Sequence, residues 1–144
     1  MQIYTIGYEG LGAASFFEIL LAHKVETLID VRAVAFSRKR GFSRTPLVLA
    51  CRSHGLDYQH WPSLGCPKDI RVDYRNSQDW QNYTLRFFSY LETQDEVLRQ
   101  LSQVVSRQTC ALHVFRVRRV FLPPLVCCAE SSGKIPSRTG IAPS

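Results

Sequence analysis

The run Val-Glu-Thr-Leu-Ile-Asp-Val at residues 25–31 constrains the fold more than any other stretch of the chain. It is short, apolar and β-branched, and an arginine-rich polar loop follows it directly. A strand this apolar needs cover on both faces, which is the situation of a central strand in a parallel sheet. Parallel neighbours need long crossovers, usually helices. The rest of the chain supplies segments of the right kind in alternation.

Gln2 to Gly7 reads as a first strand, ending in Gly. Ala13 to His23 fits a helix through Phe16, Phe17, Ile19, Leu20 and Leu21, with Ser15 and Glu18 spaced as a capping box. Pro46 suits a first helical turn, and Leu47 to His54 continues as a helix that Gly55 stops. Leu56 to Trp61 is a third strand, ended by Pro62. Residues 62–78 read as loop. The longest helical pattern runs from Asp79 to about Arg107, with a break expected near Thr93, and Cys110 to Val114 is a fourth strand. The expectation is an α/β fold: a three-layer Rossmann-like domain with a mainly parallel sheet of about four to five strands. Residues 1–114 are expected to form this single domain. Residues 115–144 read as an atypical tail, with Gly133 to Ser144 disordered.

A chain of 144 residues can bury one core without disulfides or metal. Five cysteines, an odd number without regular spacing, argue against a secreted disulfide framework, and no zinc-ligand pattern is present. No apolar run approaches the ~18 residues of a membrane helix, and the N-terminus lacks the marks of a signal peptide. A cytoplasmic protein without membrane association, metal or cofactor is expected. The formal charge of +6 is unevenly placed. Arg116, Arg118, Arg119, Lys134 and Arg138 face only one acid, Glu130, in residues 113–144. Within the coherent part, Arg32, Arg38, Lys39, Arg40 and Arg44 form a second basic cluster with no acid among them.

In parallel sheets the functional crevice lies beyond the C-terminal strand ends. Asp30 and Arg32 stand at the end of the second strand. Asp30 can orient Arg32 or take a proton, and Arg32 can grip a phosphate or carboxylate with two hydrogen bonds. An ion pair that merely fixes the loop is the structural alternative. Arg38 and Arg40 extend the positive charge, and Phe42 would stack a base if the loop met nucleic acid. Tyr8 and Glu9 follow the first strand in a Gly-flanked turn and are expected to project into the crevice. His60, at the end of the third strand, is a candidate general acid or base. Cys66 lies in a loop, where a plain structural thiol is the favoured reading.

Thr-Ile-Gly-Tyr-Glu-Gly from residue 5, Leu-Ile-Asp-Val-Arg from residue 28, the Ser37-Arg38 to Gly41-Phe42-Ser43 loop, and Tyr58-Gln59-His60 with Leu64-Gly65 occur in order. Over residues 2–112 this set resembles the domain-of-unknown-function 488 family of small bacterial and archaeal proteins. The resemblance implies one α/β domain with Tyr8, Asp30, Arg32, Arg38 and His60 lining a shared crevice. It implies a fold and a site, not a reaction. The Asp-Val-Arg strand is also similar to a rhodanese strand, with sulfur transfer as a minor variant.

The resemblance also implies, after the last strand, a Cys and a Glu and then a Cys-His-Arg triplet opening a helix. Here Pro123 and Pro124 occupy that place. Codons for Phe121 to Leu125, read one base later, can encode Phe or Ser followed by Cys, His and Arg. The same shift permits Met at His113-Val114 and Glu at Arg116-Val117. A frameshift near residue 112 is therefore expected to have replaced the original C-terminus.

Three functional classes stay open. The first is an uncharacterised enzyme or binder of a phosphorylated or nucleic-acid ligand, with Arg32, Arg38 and Arg40 holding the anion and Asp30 or His60 moving a proton. The second is a non-catalytic nucleic-acid-binding module, and the third an inactive frameshifted family member.

Overall fold

A computed structural model describes residues 2–114 and 126–127 of the chain. Strands β1 (Ile3–Gly7), β2 (Thr27–Asp30), β3 (Asp57–His60), β4 (Cys110–Val114) and β5 (Val126–Cys127) pair in the order β3-β2-β4-β1-β5. Every pairing is parallel. Helices α1 (Ala13–Ala22), α2 (Arg44–Ser53), α3 (Lys68–Ser77), α4 (Trp80–Glu92) and α5 (Asp95–Val105) fill the connections, with a short 3-10 turn at Pro62–Leu64. This is the expected three-layer, Rossmann-like α/β fold.

The layers follow from the strand order. The chain steps from β1 past β4 to β2, then on to β3, in one direction across the sheet. Right-handed crossovers moving one way put their helices on one face. Accordingly α1 and α2 share a core of Phe16, Phe17, Leu20, Leu47 and Cys51 with Leu28 and Ala111 of the sheet. The return from β3 to β4 runs the other way and puts α5 on the opposite face. There Val97, Leu98, Leu101, Val104 and Val105 pack on Ile29, Val31, Cys110 and Leu112. Leu28 and Ile29, adjacent in β2 and both fully buried, serve one core each.

Two local readings need correction. Residues 68–77 form helix α3 where a loop was expected. Pro62, Gly65 and Pro67 punctuate only the first part of that stretch, and beyond Pro67 the positions Ile70 and Tyr74 recur at helical spacing. Ser15 is not a cap: α1 begins two residues earlier, with Gly12 at the N-cap and no side-chain cap bond. The break expected near Thr93 is present between α4 and α5, with Thr93 and Gln94 as the flanking caps. The expected atypical, disordered or frameshifted tail lies outside the described residues except at β5. Among the described residues, no helix is long and apolar enough to cross a membrane.

Candidate anion site at the strand ends

Three loops meet at the C-terminal edge of the sheet. After β1, Leu11 donates to the Tyr8 carbonyl at 3.1 Å, closing a turn whose third residue, Gly10, has φ +80°. Positive φ at that position favours glycine. After β3, Gly65 lies against the loop following β2. A Cβ placed on Gly65 would stand 2.2 Å from the Val31 carbonyl oxygen, so only glycine permits this contact.

Arg32 is the centre of the arrangement. Its Nε donates to Asp30 Oδ1 at 2.9 Å and its Nη2 to Asp30 Oδ2 at 2.7 Å. The Arg32 backbone amide adds a third bond to Oδ1 at 3.1 Å, and the Tyr58 hydroxyl donates to Oδ2 at 2.6 Å. Asp30 is fully buried, and the Arg32 side chain is only 8% exposed. Burial alone would raise the Asp30 pKa, but the hydrogen bonds from Arg32 and Tyr58 outweigh it and hold the carboxyl below its usual value. Burial opposes the charge on Arg32 too, and the paired Asp30 carboxylate, helped by Tyr8, overcomes that penalty and raises the Arg32 pKa. Tyr58, partly buried beside the carboxylate, has its phenol pKa pushed up and stays a donor.

His60 completes the support. Its Nε2 lies 2.7 Å from the Arg32 carbonyl oxygen. A carbonyl only accepts, so Nε2 carries the hydrogen. Asp30 thus holds the guanidinium and His60 holds the backbone of the same residue. The Arg32 Cζ lies 5.4 Å from the centre of the Tyr8 ring, which stacks on Phe42 at 4.7 Å. Lys39 Nζ donates to the Tyr8 carbonyl at 3.2 Å and sits 5.6 Å from the centre of the Phe42 ring.

One guanidinium nitrogen is left over. Arg32 Nη1 is buried and reaches no acceptor at hydrogen-bond distance among the described residues. The Thr5 hydroxyl, on a residue 8% exposed, is likewise without a partner. Both residues line one cleft of about 1490 Å³, together with Tyr8, Glu9, Arg38 and Lys39. Two buried polar atoms without partners among the described residues, on two residues of the same wall, are unusual, because such atoms normally find one.

The structure therefore brings Tyr8, Glu9, Arg32 and Arg38 to one cleft. Asp30 and His60 stand behind that wall, bonded to Arg32, and Arg40 is exposed elsewhere. Phe42 is corrected outright: it is fully buried against Tyr8 and Phe16 and cannot stack a base. Cys66 is half-buried on the cleft wall, and burial raises its thiol pKa, as befits an inert thiol. Thr5 was not singled out in the sequence, and Lys39 was named only as a member of the basic cluster. Lys39 had a signal, being flanked by two arginines, whereas an unpartnered hydroxyl has none.

His113 was also missed as a residue of interest. It pairs in register with Asp30, is fully buried, and sits among Tyr8, Phe16 and Phe42 with ring centres 5.1 to 6.3 Å away. Neither ring nitrogen has a hydrogen-bond partner among the described residues. Burial pushes its pKa down to about 3, so it is neutral at pH 7. Among the described residues no group of three or more His, Cys, Asp or Glu side chains is placed to hold a metal ion.

Comparison with curated proteins yields no match, and neither does comparison with solved structures. The family model for the domain of unknown function DUF488 matches residues 12–118, a span that takes in β2, the Arg32 loop, β3 and β4. That match covers most of the chain, and on it the protein belongs to the DUF488 family.

Proposed function

We propose that this protein binds a phosphorylated ligand through Arg32, with Arg38 and Lys39 adding charge at the cleft mouth. The observation that carries the reading is the Arg32 guanidinium, with two nitrogens fixed by Asp30 and the third buried without a hydrogen-bond partner among the described residues. A pre-oriented, weakly hydrated guanidinium with a spare N–H suits an oxyanion. Asp30 and His60 act here as positioning residues, because their bonds go to Arg32 rather than into the cleft. A nucleic-acid module draws less support. Its stacking residue is buried, and Arg40 lies outside the cleft.

Calorimetric titration with inorganic phosphate tests the reading. Saturable 1:1 binding is expected, abolished in the charge-balanced double variant Asp30→Asn/Arg32→Gln and retained in Arg40→Ala. Binding only to single-stranded DNA, lost in Arg38→Ala/Lys39→Ala/Arg40→Ala, would favour the nucleic-acid module instead.

A second reading has its own observation. We propose that the reading frame changed just before residue 113. A buried imidazole with both nitrogens unpartnered among aromatic rings occupies a site suited to an apolar side chain. The frame one base later permits Met there, and a thioether packs well against aromatic rings. The coding DNA across residues 108–126 decides it: a frame lacking Met at 113 and Cys-His-Arg near 122–124 rules it out.

A further inference from the structure

Resting on the anion-binding reading, we propose that the ligand is an amphiphile: one phosphate monoester head on a long apolar body. The lining of the cleft carries the argument. Among the described residues its cations Arg32, Arg38 and Lys39 all come from the single loop after β2, joined only by Arg71 on α3. The rest is mainly apolar. Ile3 and Leu112 of the sheet form part of it, with Leu101 and Val105 of α5 and Phe88 and Leu91 of α4. The head is placed by Arg32 and Thr5, two residues of this lining that each carry a buried polar atom without a hydrogen-bond partner among the described residues.

Size and polarity choose among ligands. The cleft, at about 1490 Å³, is larger than the ~300–1,000 Å³ of common small-molecule sites. A phosphate head alone leaves most of it unfilled. A nucleic-acid strand carries a phosphate at every nucleotide, whereas away from the β2 loop the described lining has one cation, Arg71, and only the polar tips of Tyr74, Trp80, Tyr83 and Ser102 among apolar side chains. Desolvating those phosphates there would be costly. An alkyl or polycyclic body asks for nothing but apolar contact, and α5 has that to give. None of its residues is fully buried, although Leu98, Leu101 and Val105 face the cleft. Phe88, 41% exposed, adds a ring to the same wall.

Titration of the full chain with inorganic phosphate, butyl phosphate, octyl phosphate, adenosine monophosphate and octyltrimethylammonium tests this. Octyl phosphate is expected to bind roughly tenfold or more tighter than inorganic phosphate, with butyl phosphate between them, because each buried methylene adds affinity. Phe88→Ala should weaken octyl phosphate by a larger factor than inorganic phosphate. If inorganic and octyl phosphate bind equally, or adenosine monophosphate binds tightest, the amphiphile is wrong while the anion site stands. If octyltrimethylammonium matches octyl phosphate and Asp30→Asn/Arg32→Gln changes neither, both proposals are overturned.

Discussion

At the scale of single residues, Asp30 and Arg32 are a buried pair whose value depends on both partners. Removing the carboxylate strands a buried cation. Asp30→Ala is expected to cost about 3–5 kcal/mol of stability, measured by urea unfolding. Because the folded pKa of Asp30 is depressed, its contribution is complete above the unfolded value and is lost as pH falls through the folded one. His113 acts in a different window. Its unfolded form protonates near 6.5 and its folded form only near 3, so stability falls as pH drops between those values. His113→Met is expected to raise stability by about 1–3 kcal/mol by removing unpaired polar atoms. The variant should also flatten melting temperature between pH 7 and 5, where the parent declines. A variant less stable than the parent would mean the imidazole has a partner it needs. Asp30, Arg32 and Tyr8 were legible because residue type and strand-end position mark them. The unpartnered atoms of Thr5 and His113 were not, since hydrogen-bond satisfaction depends on neighbours distant in sequence.

At the scale of elements, hydrophobic period and Gly/Pro punctuation located all four longer strands and most helices. They failed at α3, whose exposed, charged face held by Arg86 bridges to Asp69 and Asp73 hides its short apolar stripe. The start of α1 at Ala13 was legible, but its cap was not: Gly12, not Ser15, holds the N-cap. That position is improvable. A Cβ on Gly12 meets nothing within 4 Å and its φ is −79°, so Gly12→Ser is expected to add about a few tenths of a kcal/mol, read by thermal melting. Gly65 is the opposite case. Gly65→Ala forces the loop after β3 away from the Val31 carbonyl and is expected to cost about 1–3 kcal/mol. It should also weaken phosphate binding by disturbing the adjoining Arg32 loop, whereas a change that lowers stability alone would uncouple the two loops.

For the whole molecule, a parallel α/β sheet was legible from alternation, yet the order β3-β2-β4-β1-β5 was not. Nothing local states that β4, last of the long strands, inserts between β1 and β2. That insertion puts His113 beside Asp30 and divides the helices between two faces. The account as a whole turns on the Arg32 guanidinium being fixed by Asp30 with one nitrogen left unpartnered among the described residues. Nitrogen-detected NMR of arginine side chains during phosphate addition reads this directly. The Arg32 Nη resonances should move first and saturate, ahead of Arg40 and Arg99 on the exposed surface. Arginine signals that all drift together with ionic strength, with Arg32 indistinguishable from the rest, would contradict it.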